Sequence, residues 1–172
     1  MWMPCSRSIP ATLRLLLCAT LQVLFLPVVA PPQVVQAAPN TWLPTGPLNV
    51  SRDQYTATLL TSGQVLVAGG YNSADGTLAS AELYDPVAGA WQHTGALHTA
   101  RSKHTATRLA DGRVLAAGGW SVSNGGLITS TEVYDPVVGA WTATGSLGTA
   151  RGFHTATRLP DGRVLVVGGG DM

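Results

Sequence analysis

The chain has 172 residues, enough for about one domain, and a formal net charge of +1. Its ten Lys and Arg are scattered, which excludes the clustered basic footprint that displaces counterions from nucleic-acid phosphates. Its two cysteines, Cys5 and Cys18, both fall in the first 18 residues.

That opening stretch reads as a signal peptide over 1–37. Arg7 and Arg14 lie near the start, an apolar run spans 15–30, and Val35-Gln36-Ala37 supplies the small residues of a cleavage site. Gln22 and Pro27 interrupt the run and argue against a membrane anchor. Leu15-Leu16-Leu17-Cys18 fits a lipobox poorly, because most of the apolar run follows the cysteine. The expectation is a secreted or extracytoplasmic protein, in a periplasm or at a cell surface, with no membrane span after cleavage. Removing 37 residues leaves 135 without a cysteine, hence no disulfide and no thiolate metal site. It also leaves eight basic residues against nine acidic ones, a net charge near −1. Asn49-Val50-Ser51 is a formal glycosylation sequon, with meaning only in a eukaryotic host.

A Pro- and Ala-containing linker over 38–44 follows, and then the chain repeats itself through 45–172. Trp42, Trp91 and Trp141 recur at steps of 49 and 50, and so do Gly69-Gly70, Gly118-Gly119 and Gly168-Gly169. Such a period means stacked copies of one supersecondary unit, here about 42–94, 95–145 and a partial 146–172.

Within each unit four short strands are predicted. The first covers 55–60, 104–109 and 154–159, and leads into a tight turn at Ser62-Gly63, Asp111-Gly112 and Asp161-Gly162, where glycine supplies positive φ and Asp bonds the local backbone. The second, 65–68, 114–117 and 164–167, is continuously apolar, as in a strand buried on both faces. It ends at the double glycine, where no side chain obstructs a neighbouring backbone or ring. The third, 81–84 and 131–134, is terminated by Asp85-Pro86 and Asp135-Pro136. The fourth opens near Trp91 and Trp141, with an orphan copy at Trp42. Four strands joined by turns make one antiparallel sheet.

The double glycine, the Tyr-Asp-Pro and the Trp, in that order at about fifty residues per unit, resemble the kelch repeat. The variant Arg-x-x-His-Thr-Ala-Thr-x-Leu is similar to units of exported bacterial proteins. The resemblance implies an all-β fold of kelch-type β-propeller blades, four-stranded antiparallel sheets set around a channel. Complete units at 55–95 and 104–145 with partial blades at each end make an incomplete ring, where closed propellers need about four to eight blades. A bare terminal face would forfeit about 6–12 kcal/mol of burial, comparable with a whole domain's stability of about 5–15 kcal/mol. The chain is therefore expected to be a truncated product or fragment of a longer propeller whose further blades cover these faces; the alternative is coverage by self-association or a capping partner.

The chemistry looks structural. His104 and His154 occupy a position where the first copy has Tyr55, which fits a repeated hydrogen bond and not metal ligation. His93 and His98 have no partner at ligand spacing. Arg52, Arg101 and Arg151 recur with Glu82 and Glu132, as in an ion pair or Arg-to-carbonyl bond within or between blades. Trp91 and Trp141 suit wedges between blades better than sugar platforms. The family includes galactose oxidase-like enzymes, whose copper site uses a tyrosine crosslinked to cysteine; the cysteine-free mature chain excludes it. No nucleophile elbow, zinc-protease motif or phosphate loop is present. No catalytic residue, cofactor or metal is expected.

Units differ after the double glycine, and differing loops carry specificity. Tyr71, Asn72 and Asp75 in one copy, and Trp120 and Asn124 in the next, are the candidate ligand-contact residues. The expected function is a non-catalytic module of an exported protein, binding protein or carbohydrate through its blade loops. The alternative is part of a longer secreted kelch-type oxidase or lyase whose catalytic residues lie elsewhere.

Overall fold

The computed structural model describes Thr41 and residues 43–170. The leader over 1–37, the start of the linker and Trp42 lie outside the described residues. Inside them the chain forms strands and no helix, so no helix is long and apolar enough to cross a membrane.

The first unit comprises β1 (Thr56–Leu59), β2 (Val65–Ala68), β3 (Tyr71–Asn72), β4 (Gly76–Thr77), β5 (Ala81–Asp85) and β6 (Ala90–Thr94). The second repeats it as β7 (Thr105–Arg108), β8 (Val114–Ala117), β9 (Trp120–Ser121), β10 (Gly126–Leu127), β11 (Thr131–Asp135) and β12 (Ala140–Thr144). The third contributes β13 (Thr155–Arg158) and β14 (Val164–Val167). Two four-stranded antiparallel sheets result, β1-β2-β5-β6 and β7-β8-β11-β12, with β13-β14 as the opening hairpin of another. These are propeller blades of kelch type, and the ring they form is open.

Turn chemistry sets the registers. Gly63 N donates to Leu60 O at 3.1 Å and Leu60 N to Gln64 O at 2.8 Å, closing a hairpin around Gly63 at φ 87°. The same turn recurs at Gly112 and Gly162, where Asp111 and Asp161 accept from the backbone N–H of Arg113 and Arg163. The first strands therefore end one residue before the predicted leucine, because that leucine belongs to the turn. After β5 and β11, Asp85 and Asp135 accept from the N–H of Val87 and Val137 and start the next turn.

One expectation is refined. The segment after the double glycine is a small hairpin, β3-β4 or β9-β10, docked back on the chain by bridges between Asp53 and Tyr71 and between Ser102 and Trp120. Its tip has three residues in the first copy and four in the second, which absorbs the difference in repeat length.

The core lies between blades. Leu66, Ala68 and Ala81 of the first blade meet Val114, Ala116, Tyr134 and Trp141 of the second, with Leu60 and Leu97 completing the cluster. A sheet this small encloses nothing by itself; each face becomes interior only when a neighbour covers it. One register position shows this directly. Leu66 is 1 % exposed and its third-unit equivalent Leu165 is 50 % exposed; Ala68 is 1 % exposed and Val167 is 54 %. Strands β1, β7 and β13 pack side by side along the inner ends of the blades.

Candidate functional site

The repeated polar residues build the scaffold. Arg101 lies on the connection between the two complete blades and serves both. Its backbone N donates to Leu78 O at 3.0 Å and its carbonyl accepts from Gly70 N at 2.9 Å, both in the first blade. Its guanidinium enters the second, donating to Gly118 O, Ser130 O, Ser130 Oγ and Glu132 Oε1, the last at 2.7 Å. Glu132 also accepts from the backbone N–H of His98 and Thr99. Arg52 and Glu82 repeat the pair at 2.7 Å with both side chains fully buried, and Glu82 accepts from Asn49 and Val50. Burial pushes the Glu82 carboxyl up, yet the hydrogen bonds from Asn49, Arg52 and Val50 outweigh it and leave it below the usual carboxylate range.

His104 and His154 are interblade struts. His104 Nε2 sits 3.1 Å from Thr56 Oγ1 of the preceding blade, and His154 Nε2 sits 2.9 Å from Thr105 Oγ1. Burial, with the Arg101 and His154 charges adding to it, holds His104 at about 3, so the ring is neutral at physiological pH. Burial and Arg151 lower His154 in the same direction. The double glycine makes room for these struts: a Cβ on Gly69 would lie 2.5 Å from Arg101 O and 2.9 Å from His104 Cε1. Tyr134 and Trp141 form a tilted cross-strand pair with centroids 5.1 Å apart, and Trp141 is buried, which places it as a wedge. Among the described residues, no three His, Cys, Asp or Glu side chains converge as metal ligands do.

The candidate contact residues divide by role. Asn72 Oδ1 accepts from the N–H of Ala74 and Asp75, while its Nδ2 donates to Asp75 Oδ2 and Ser51 O. These groups fix the β3-β4 tip. Asn124 Oδ1 accepts from Ser121 Oγ and Ser123 Oγ, a comparable local use. Tyr71 and Trp120 differ from them. They open the two small hairpins at equivalent positions, Tyr71 exposed and Trp120 half-buried. Tyr71 borders an open groove of about 370 Å³ with Asp53, Asn72 and Ser73, and Trp120 borders one of about 580 Å³ with Asn124, Leu127 and Thr149. Val122 N donates to Thr77 Oγ1, joining the hairpins of adjacent blades into one surface.

Three residues escaped the sequence reading. Gln54, Lys103 and Phe153 share one position, just before β1, β7 and β13, and all have positive φ. Lys103 Nζ lies 4.6 Å from the Phe153 ring centroid and 5.7 Å from that of Trp120. The signal was present: two residues after the recurring Arg52, Arg101 and Arg151, this is a position whose residue changes completely from copy to copy.

Comparison with curated proteins gives no match. Residues 55–94, the span of the first complete blade from β1 to β6, match the family model described as the Kelch motif, which supports a kelch-repeat protein.

Proposed function

We infer that the chain is a propeller-type binding module of an exported protein, without catalytic activity of its own, that holds a protein segment or a glycan on the face built by the β3-β4 and β9-β10 hairpins. One observation carries this reading. The side chains that repeat in every unit are used inside the scaffold, whereas Tyr71 and Trp120 vary in type at one position and stand beside open grooves. Such a face offers aromatic area and hydrogen-bonding edges, and no activated nucleophile or acid–base pair. Screening the full chain against a peptide-display library and a glycan array tests it: binders lost in the Tyr71→Ala/Trp120→Ala double variant support the site, and binders indifferent to it refute the site. Export rests on the leader, and N-terminal sequencing of the mature protein should begin at Ala38. The open apolar face at Leu165 and Val167 calls for cover by further blades or by a second copy. Sedimentation at rising concentration separates the two.

A further inference from the structure

Gln54, Lys103 and Phe153 have φ of 52°, 56° and 55°. This is the left-handed region, unfavourable for a residue with a Cβ and open to glycine. Thirteen glycines take positive φ elsewhere in the described chain, yet none of the three copies places glycine here. No two copies carry the same side chain either. A purely structural demand would be met by glycine in each unit; a strained residue that differs every time is what a ligand clamp looks like.

The backbone sets the three in a row. Lys103 N donates to Gln54 O at 3.1 Å and Phe153 N to Lys103 O at 3.0 Å, so the positions are hydrogen-bonded neighbours across three blades at the inner rim. An amide, a cation and an aromatic ring stand in that order. Lys103 is the one lysine in the sequence. Its ammonium lies over the Phe153 and Trp120 rings, and no carboxylate of the described residues is within 4.0 Å of it. Arg52 and Arg101, by contrast, each hold a glutamate. Two aromatic faces steady the ammonium without neutralising it, which preorganises a positive charge for an incoming anion.

We propose that Lys103, steadied by Trp120 and Phe153 and flanked by Gln54, anchors a carboxylate of an acidic protein segment laid across the inner rim. This rests on the binding-module reading and names its ligand. Charge complementarity selects an anion, and the hydrogen-bonded row of amide, ammonium and exposed ring suits an extended peptide over an acidic sugar. An extended segment needs only the ammonium for its carboxylate, the Gln54 amide for its backbone and the 53 % exposed Phe153 for an apolar neighbour.

The test is fluorescence anisotropy of labelled hexaglutamate and labelled hexagalacturonate with the full chain at fixed ionic strength. Hexaglutamate should bind, Lys103→Met should weaken it at least tenfold, Lys103→Arg should restore most of the affinity, and Arg163→Met, at an exposed pair away from the rim, should change nothing. Lys103→Gly should keep or raise the melting temperature while binding no better than Lys103→Met, which separates a ligand role from a structural one. Equal affinity of wild type and Lys103→Met overturns the proposal, as does selective binding of hexagalacturonate or binding of neither probe. If neither probe binds but library ligands still depend on Tyr71 and Trp120, the module reading stands and the Lys103 assignment alone falls.

Discussion

Replacing Arg101 by Met removes the guanidinium and keeps most of the stem. The backbone would still bond the first blade, but the second would lose donors to Gly118 O, Ser130 O, Ser130 Oγ and Glu132 Oε1. Glu132, with its side chain 2 % exposed, would keep only the His98 and Thr99 N–H groups. Breaking a buried pair by removing one partner costs about 3–5 kcal/mol, because the remaining charge stays desolvated. Against a total stability of about 5–15 kcal/mol, that is enough to separate the blades in mild denaturant. Removing the carboxylate as well, in Arg101→Met/Glu132→Leu, takes away the stranded charge but orphans two backbone donors at about 1–3 kcal/mol each, so recovery should be partial. Arg163→Met, at an exposed pair with Asp161, should cost about 0–1 kcal/mol. Urea titrations followed by tryptophan fluorescence measure all three. If Arg101→Met costs no more than Arg163→Met, the account of Arg101 as the tie between blades is wrong.

Gly69→Ala should destabilise by about 2–4 kcal/mol, combining overpacking with a left-handed φ of 61°, since its Cβ would meet the carbonyl of Arg101 at 2.5 Å. Gly125→Ala, at φ 72° with open space around it, should cost about 1–2 kcal/mol, and differential scanning calorimetry distinguishes the pair. Leu66→Ala should cost about 2–5 kcal/mol, whereas Leu165→Ala should change stability little; equal effects in denaturant titration would contradict the interblade core. His104 should make the fold acid-sensitive. Its folded value of about 3 lies below the unfolded 6.5, so the unfolded state binds the proton first and stability is lost as pH falls from about 6.5 toward 3. Between pH 6.5 and 5 that amounts to about 2 kcal/mol. His104→Gln should flatten this part of the pH profile of melting temperature, and an unchanged profile would refute the assignment.

The repeat and its punctuation were legible in residues. Gly63, Gly112 and Gly162 after a small polar residue, the apolar runs 65–68 and 114–117, and the Asp-Pro stops act over a few neighbours, so strand positions and the four-stranded sheet follow from local chemistry. The scaffold role of His, Arg and Glu was readable too, because a residue that recurs with the period must serve something that recurs. The hairpins after the double glycine were not. Their ladders are two residues long, and Asp53 and Ser102, well back in the sequence, bridge to Tyr71 and Trp120 and dock them.

The sequence by itself determined the blade: its strands and turns, consequences of contacts short along the chain, and its repeated polar set, which the period marks. Tertiary structure alone decided what lies inside and what meets a partner. Leu66 and Leu165 hold the same place in the same strand and differ from 1 % to 50 % exposure because only the first has a blade stacked on it. Arg101 binds one blade through its backbone and the next through its side chain, a double role no linear motif displays. Lys103 lies over Phe153, fifty positions away, because a backbone hydrogen bond sets adjacent blades side by side at the rim. Burial and charge pairing depend on through-space neighbours, and in a stacked repeat those neighbours belong to the next copy.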